Sequence, residues 1–391
     1  MKQKHIATRM SGIRPFYVMD LLAQAKQLEA QGHDVIHLEV GEPDFPTPEP
    51  INVAAIEAIK TGKTKYTGAT GLPELKDKIS EYYKSRLGAS VESKNITITP
   101  GASGALQLAL SVSVNSNQNV LMADPGYPCN RHFVRLLGAS ACSIPVDAET
   151  DYQLTHDLID QNWQPDTAAV LIASPSNPTG TLIDAVEMHK IIKVVEKKKG
   201  VLLVDEIYQG LVYDQADFSA AAISSHVFVI NSFSKYFSMT GWRLGWLIVP
   251  DEFIEPVDRL AQNLFLAPPT ISQYAALSAF DNETLKILDA QRDELNNRRE
   301  FLLKGLKHLG FDISVKPGGA FYIYADVSKF TADSFKFCND LLHQSYVAIT
   351  PGIDFGEHKA KNHVRFAYTQ NIEKLQLALD RISDFLTNYK H

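Results

Sequence analysis

The 391-residue chain predicts an α/β protein, with a central, mostly parallel sheet flanked by helices and a smaller α+β domain beside it. Three observations predict this class. Between about residues 95 and 250, short apolar, β-branched runs alternate with helix-like stretches. Those runs are nearly continuous rather than alternating, which is the pattern of strands covered on both faces. Both flanks read differently, with amphipathic helices and short alternating strands.

The elements follow in chain order. Residues 16–31, "FYVMDLLAQAKQLEAQ", carry helical periodicity and stop at Gly32; a strand-like "DVIHLEV" follows. The proline-rich "GEPDFPTPEP" then reads as a hinge or domain junction. The six apolar runs are "NITIT" (95–99), "NVLMAD" (119–124), "AAVLIAS" (168–174), "VLLVDE" (201–206), "HVFVIN" (226–231) and "LGWLIVP" (244–250). A long charged amphipathic pattern covers 284–309, after which "AFYIYADV", "YVAIT" and "HVRFAY" alternate like strands of a smaller, half-exposed sheet. The expected division is an N-terminal arm with part of the small domain (1–45), a large α/β domain (46–285) and a C-terminal α+β domain (286–391). No fixed-period repeat or low-complexity tract interrupts it.

Composition narrows the function. A formal net charge of −7 leaves no basic footprint for nucleic acid or an anionic membrane. The basic N-terminus (Lys2, Lys4, Arg9) lacks the apolar stretch of a cleaved signal, and no segment approaches the ~18 apolar residues of a membrane span. Cys129, Cys142 and Cys338 are too scattered for a disulfide framework or zinc cluster, so a reducing, cytoplasmic setting is expected. His37, His132 and His189 do not cluster, and no metal is expected.

In a parallel sheet, ligands bind beyond the carboxyl ends of the strands. The residues there are "PGASG" (100–104), "DPGYP" (124–128), "SPSNPTG" (174–180), "DEIY" (205–208) and "SFSK" (232–235). They supply a glycine-rich turn opening a helix, suited to a phosphate. They also supply an aromatic face (Tyr127), an amide (Asn177), a carboxylate (Asp205), a phenol (Tyr208) and a lysine among serines (Lys235 with Ser232 and Ser234). Arg243 adds a permanent cation for a bidentate phosphate contact. Together these fit pyridoxal 5'-phosphate. Lys235 would form a Schiff base with its aldehyde, Asp205 would keep its ring nitrogen protonated, Asn177 and Tyr208 would meet its phenolic oxygen, and Tyr127 would stack on its ring. Taken singly, each has a blander reading: a surface lysine, a helix-capping acid, a turn asparagine, a packing aromatic. Their company at one sheet edge is what argues for chemistry.

"SPSNPTG", "DEIY", "SFSKYFSMTGWRLGW" and "PGIDFG…VRFAY" resemble, in order, the signatures of the class I/II, fold-type-I pyridoxal-phosphate aminotransferases. The resemblance runs from about residue 14 to the C-terminus. It implies a seven-stranded type of central sheet and a homodimer with a shared active site, acting on amino acids and 2-oxo acids. It further implies that Lys235 is the Schiff-base lysine, that Ser232 and Arg243 hold the phosphate, and that Arg365 clamps the substrate α-carboxylate. Gly41 would line the substrate side, and Tyr66 would reach the partner subunit's phosphate. Within Gly101, Ala102, Ser103 and Gly104, the resemblance does not fix which amides face the phosphate. Tyr127 stands where dicarboxylate-specific members usually carry tryptophan. A carbon–sulfur lyase or other α,β-eliminating enzyme would share every cofactor residue named.

Two other motifs fail. Ser232–Lys235 is formally S-x-x-K, but "KTG" at 60–62 is in the wrong order and no S-D-N accompanies it. "GKT" at 62–64 has Glu57 where a P-loop needs its first glycine. A second cation for an acidic substrate could be Arg14, Lys63, Lys65 or Arg131, and the sequence does not rank them.

Overall fold

The structure is a computed structural model and describes residues 6–13, 15 and 17–389. Lys2, Lys4, Arg14 and the expected helix start at Phe16 lie outside the described residues. The first α-helix spans Tyr17–Ala30 and buries Val18, Leu21 and Ala25 along one stripe. A two-residue strand β1 (Ile36–His37) follows. The central sheet comprises β2 (Ile96–Thr99), β3 (Asn119–Asp124), β4 (Ser140–Pro145), β5 (Thr167–Ala173), β6 (Val201–Asp205), β7 (Val227–Ser232) and β8 (Gly245–Ile248). Their spatial order is β2-β8-β7-β6-β5-β3-β4. Only β8 runs against the rest, antiparallel to both β2 and β7, while the other four pairings are parallel.

The continuous apolar runs are explained by burial on both faces. In β6, Leu203 joins one core cluster with Leu106, Leu171, Phe228 and Ile230, whereas Leu202 and Val204 join the other with Val170, Ile172 and Val229. The helix Gly101–Ser113 covers the first face; helices Pro73–Leu87 and Ala185–Lys197 cover the second. Sequence reading found six strands and missed β4. As the sheet's edge, β4 needs only one face buried, and of "SACSIP" only Ile144 is fully enclosed. Its sequence therefore carries no apolar run.

The flanking strands are β9 (Tyr322–Asp326), β10 (Val347–Ala348), β11 (Thr350–Pro351) and β12 (His363–Ala367). β11, β12 and β9 form an antiparallel sheet, and β1 pairs in parallel with β10, so that Ile36 lies opposite Val347. This sheet is not half-exposed, as its alternation led us to expect: all of β12 and the first four residues of β9 are buried. One side packs under the helices Asn282–His308 and Ile372–Asn388. The other faces the central domain, where Tyr152 meets Tyr324 edge-on and Tyr208 meets Tyr322.

Phe228 in β7 is fully buried, and the strand leads directly to Lys235. Phe228→Ala should cost about 3–5 kcal/mol of stability, read from the shift of the urea unfolding midpoint of the cofactor-free protein.

Candidate active site

The sheet order creates the site. From β3 the chain passes outward to β4 and returns on the other side of β3 to β5, so the order reverses between β3 and β5. Loops leaving the two strands diverge there, opening a crevice at their carboxyl ends. Tyr127 follows β3, and Asn177 follows β5. Asp205 ends β6, and Ser232 to Lys235 leave β7. Arg243 precedes its strand rather than following it. Because β8 is antiparallel, its amino end lies at this same edge, and Arg243 arrives there with a left-handed φ of 53°.

These residues line one cavity of about 260 Å³. Of the fourteen residues singled out from sequence, twelve line it: Gly41, Ala102, Ser103, Tyr127, Asn177, Asp205, Tyr208, Ser232, Ser234, Lys235, Arg243 and Arg365. Gly101 lies immediately behind, opening the helix Gly101–Ser113 with φ of 70°. Tyr66 is 83% exposed and does not line the cavity.

The phosphate end is shaped by missing side chains. A Cβ on Gly101 would lie 2.8 Å from Arg243 Nη2, and one on Gly245 would lie 2.8 Å from the Gly101 carbonyl carbon and 2.9 Å from the Ala102 nitrogen. Two glycines thus let the helix N-terminus, β8 and Arg243 approach each other. The first amides of a helix lack intrahelical acceptors and point at whatever occupies that end. Ser232 Oγ lies 2.9 Å from Ser234 Oγ and 3.2 Å from the Leu244 carbonyl, which holds both hydroxyls at the same edge.

Lys235 Nζ donates to the Gly41 carbonyl at 2.6 Å. Its pKa is lowered to about 8, chiefly by loss of water, with Arg365 and Arg243 adding repulsion against the opposing pull of Glu42. Asp205 is buried; among the described residues it accepts one hydrogen bond, from Ile207 N–H at 3.1 Å, and forms no ion pair. Burial pushes its pKa up to about 6. Such a carboxylate lacks a cation, which a protonated ring nitrogen would supply, so the residues fit pyridoxal 5'-phosphate.

Arg365 is caged on the opposite side. Its Nη1 donates to Asn177 Oδ1 at 2.8 Å, and its Nη2 donates to the Glu39 carbonyl and to Thr350 Oγ1. Its guanidinium lies over the rings of Tyr322 and Phe355, 4.2 and 4.8 Å from their centroids. Its Nε is buried and has no partner among the described residues.

Sequence reading missed Tyr322. Its hydroxyl is 2.9 Å from that of Tyr208, and a Cβ on Gly41 would come within 1.9 Å of it. Nothing in "AFYIYADV" separates it from the packing aromatics around it. Val18, Met19 and Leu22 of the first helix also line the cavity and were read only as helical periodicity. Of the candidate second cations, Lys63 and Lys65 are exposed away from the cavity, and Arg131 donates to the Asp354 carbonyl at 3.2 Å.

A lysine, an unpaired buried carboxylate and a phosphate turn at the open edge of such a sheet define a pyridoxal-phosphate enzyme of the aspartate-aminotransferase-like fold. Comparison with known proteins makes this specific: residues 33–382 match the family model "Aminotransferase class I and II", and the chain belongs to that family. It is 41% identical over 384 residues to the (5-formylfuran-3-yl)methyl phosphate transaminase of Methanocaldococcus jannaschii, covering 97% of this chain and 99% of that one. It is 40% identical over 378 residues to the valine–pyruvate aminotransferase of Mycobacterium tuberculosis, covering 96% and 97%. The crystal structure of an aminotransferase from Mycobacterium tuberculosis superposes with a TM-score of 0.95 at 39% identity, covering 98% and 100%. The protein is a transaminase that uses pyridoxal 5'-phosphate.

Gly245→Ala should leave the fold intact but push the Gly101–Ala102 turn outward. Overpacking of about 1–3 kcal/mol should weaken cofactor retention by about 10- to 100-fold, measured by equilibrium titration of the cofactor-free protein.

Proposed function

We propose that this aminotransferase exchanges amino and oxo groups between an α-amino acid and a 2-oxo acid with the following division of labour. When bound, the cofactor supplies an aldehyde to carry the amino group and a ring to accept electrons from the substrate. Lys235 would hold the cofactor through its aldehyde and, as a free amine, would move the proton at the substrate Cα. Asp205 keeps the ring nitrogen protonated. Tyr208 and Asn177 contact the phenolic oxygen, and Tyr127 stacks on the ring. Gly101, Ala102, Ser103, Ser232, Ser234 and Arg243 hold the phosphate. Arg365 binds the substrate carboxylate opposite Lys235, so that orientation selects the Cα–H bond. The observation that carries this assignment is the single cavity lined at once by Lys235, Asp205 and Arg365.

The working form proposed is a homodimer in a reducing, cytoplasmic setting. Tyr66 is 83% exposed, and Arg243 at the phosphate end is exposed too, so a second copy would be needed to close that end. Val53, Ile56 and Ile59 form an exposed apolar stripe on the helix Glu49–Lys60, which supports burial of this face. Cys129, Cys142 and Cys338 are all free. The proposed division of the chain remains 1–45, 46–285 and 286–391, with the continuous helix Asn282–His308 bridging the last two parts.

Lys235→Ala should lower turnover by roughly 10²- to 10⁴-fold while cofactor still binds, measured as the absorbance change of the loaded protein on adding amino acid. Near-native turnover would refute the assignment. Capture of the aldehyde needs the neutral amine. With a Lys235 pKa of about 8, the capture rate of the cofactor-free protein should rise with pH and level off above about pH 8. An unshifted lysine would keep rising to about pH 10.

A further inference from the structure

The cavity has two chemically different sides. The sheet edge and Arg365 supply its charges, whereas Val18, Met19 and Leu22 face them from the helix Tyr17–Ala30. Positions 18 and 22 are one helical turn apart and 19 is adjacent, so one helix face presents all three. Among the described residues the lining holds three cations, Lys235, Arg243 and Arg365, and under the amino-transfer reading each is already engaged by aldehyde, phosphate or α-carboxylate. Its two acids supply no cation: Asp205 is assigned to the ring nitrogen, and the fully buried Glu39 side chain has Oε1 2.7 Å from His37 Nδ1 and Oε2 unpartnered among the described residues.

The apolar wall is held firmly in place. The Asp354 carboxylate accepts the N–H groups of Tyr17 and Val18 at 3.0 and 3.1 Å, pinning the start of the helix. Val18 is therefore buried, while Met19 is 55% exposed at the mouth of the cavity.

We infer that the amino-acid substrate carries an uncharged, apolar side chain lying against Val18, Met19 and Leu22, and that dicarboxylic amino acids are poor substrates. This rests on the amino-transfer reading, with Arg365 taking the α-carboxylate. A second carboxylate would lose its water against this wall and gain no cation from the described residues of this chain.

The test uses the cofactor-loaded native protein and follows the absorbance change with single amino acids. The kcat/KM values for alanine, valine, leucine and methionine should exceed those for aspartate and glutamate by about tenfold or more. Met19→Arg, at a position with room for a long side chain, should shrink that ratio by about tenfold by raising the rate with aspartate. Aspartate or glutamate matching the apolar set in the native protein would overturn the inference and point to a cation from Arg14 or a second copy. An unchanged ratio in a folded, cofactor-loaded Met19→Arg protein would overturn the role given to the helix. Reaction with neither class would overturn the inference while leaving the family assignment standing.

Discussion

The contact between the small sheet and the central one is the constraint on which the site depends. Two of its buried polar pairs border the cavity: Arg365 with Asn177 at 2.8 Å, and Tyr208 with Tyr322 at 2.9 Å. Each joins a residue beyond a central strand to one on β12 or β9. A hydrogen bond in a buried, low-dielectric setting is costly to lose, because each partner is then stranded away from water. Arg365 has further ties to Glu39 and Thr350 and lies over two rings, so its position relative to Lys235 is over-determined. Reaction geometry of this kind fails with displacements near 1 Å, and redundant bonds are the means of preventing them.

The same cavity withholds compensation from several of its charged groups. Among the described residues, Lys235 Nζ has one hydrogen-bond partner, a carbonyl, the Asp205 carboxylate has one, an amide, and Arg365 keeps a buried Nε without an acceptor. Such burial destabilises the ligand-free protein, and the shifts of Lys235 down to about 8 and Asp205 up to about 6 are its signature. Cofactor and substrate carry the complementary groups, so binding recovers what folding gave up. The two apolar layers around the sheet, containing fully buried Phe228, Trp246 and Phe233, can sustain that loss.

Six of the seven central strands were legible because strands buried on both faces must be apolar throughout, and the residues proposed to hold the cofactor could be gathered from strand ends because such sheets bring those ends to one cavity. The unreadable parts have physical reasons. β4 is an edge and has no continuous run to betray it. The small sheet alternates in sequence, yet Tyr322, Tyr324 and Arg365 use polar groups toward the neighbouring domain rather than toward water. Periodicity reports which residues share a face and is silent on what covers it. Arg243 stood out in the sequence as a candidate phosphate cation, and the reversed direction of β8 explains how a residue preceding its strand reaches the common edge.

This difference in legibility reflects a division of labour. The groups proposed to hold the cofactor leave the sheet at fixed positions, and a Cβ at 101 or 245 would crowd Arg243 or the Gly101–Ala102 backbone, so that half is constrained by backbone geometry. The surface inferred to face the substrate side chain comes instead from a helix near the start of the described chain, whose first N–H groups are held by Asp354, in a turn more than three hundred residues later, and which also buries Leu21 and Ala25. Val18, Met19 and Leu22 make no hydrogen bond that the chemistry needs through their side chains. Replacing them alters what lies against the wall while leaving Lys235, Asp205 and the phosphate turn untouched. Relatives of similar identity with names as different as a furan phosphate transaminase and a valine–pyruvate aminotransferase are what such an arrangement permits. One constrained half preserves the reaction, and one loosely constrained half sets the molecule on which it acts.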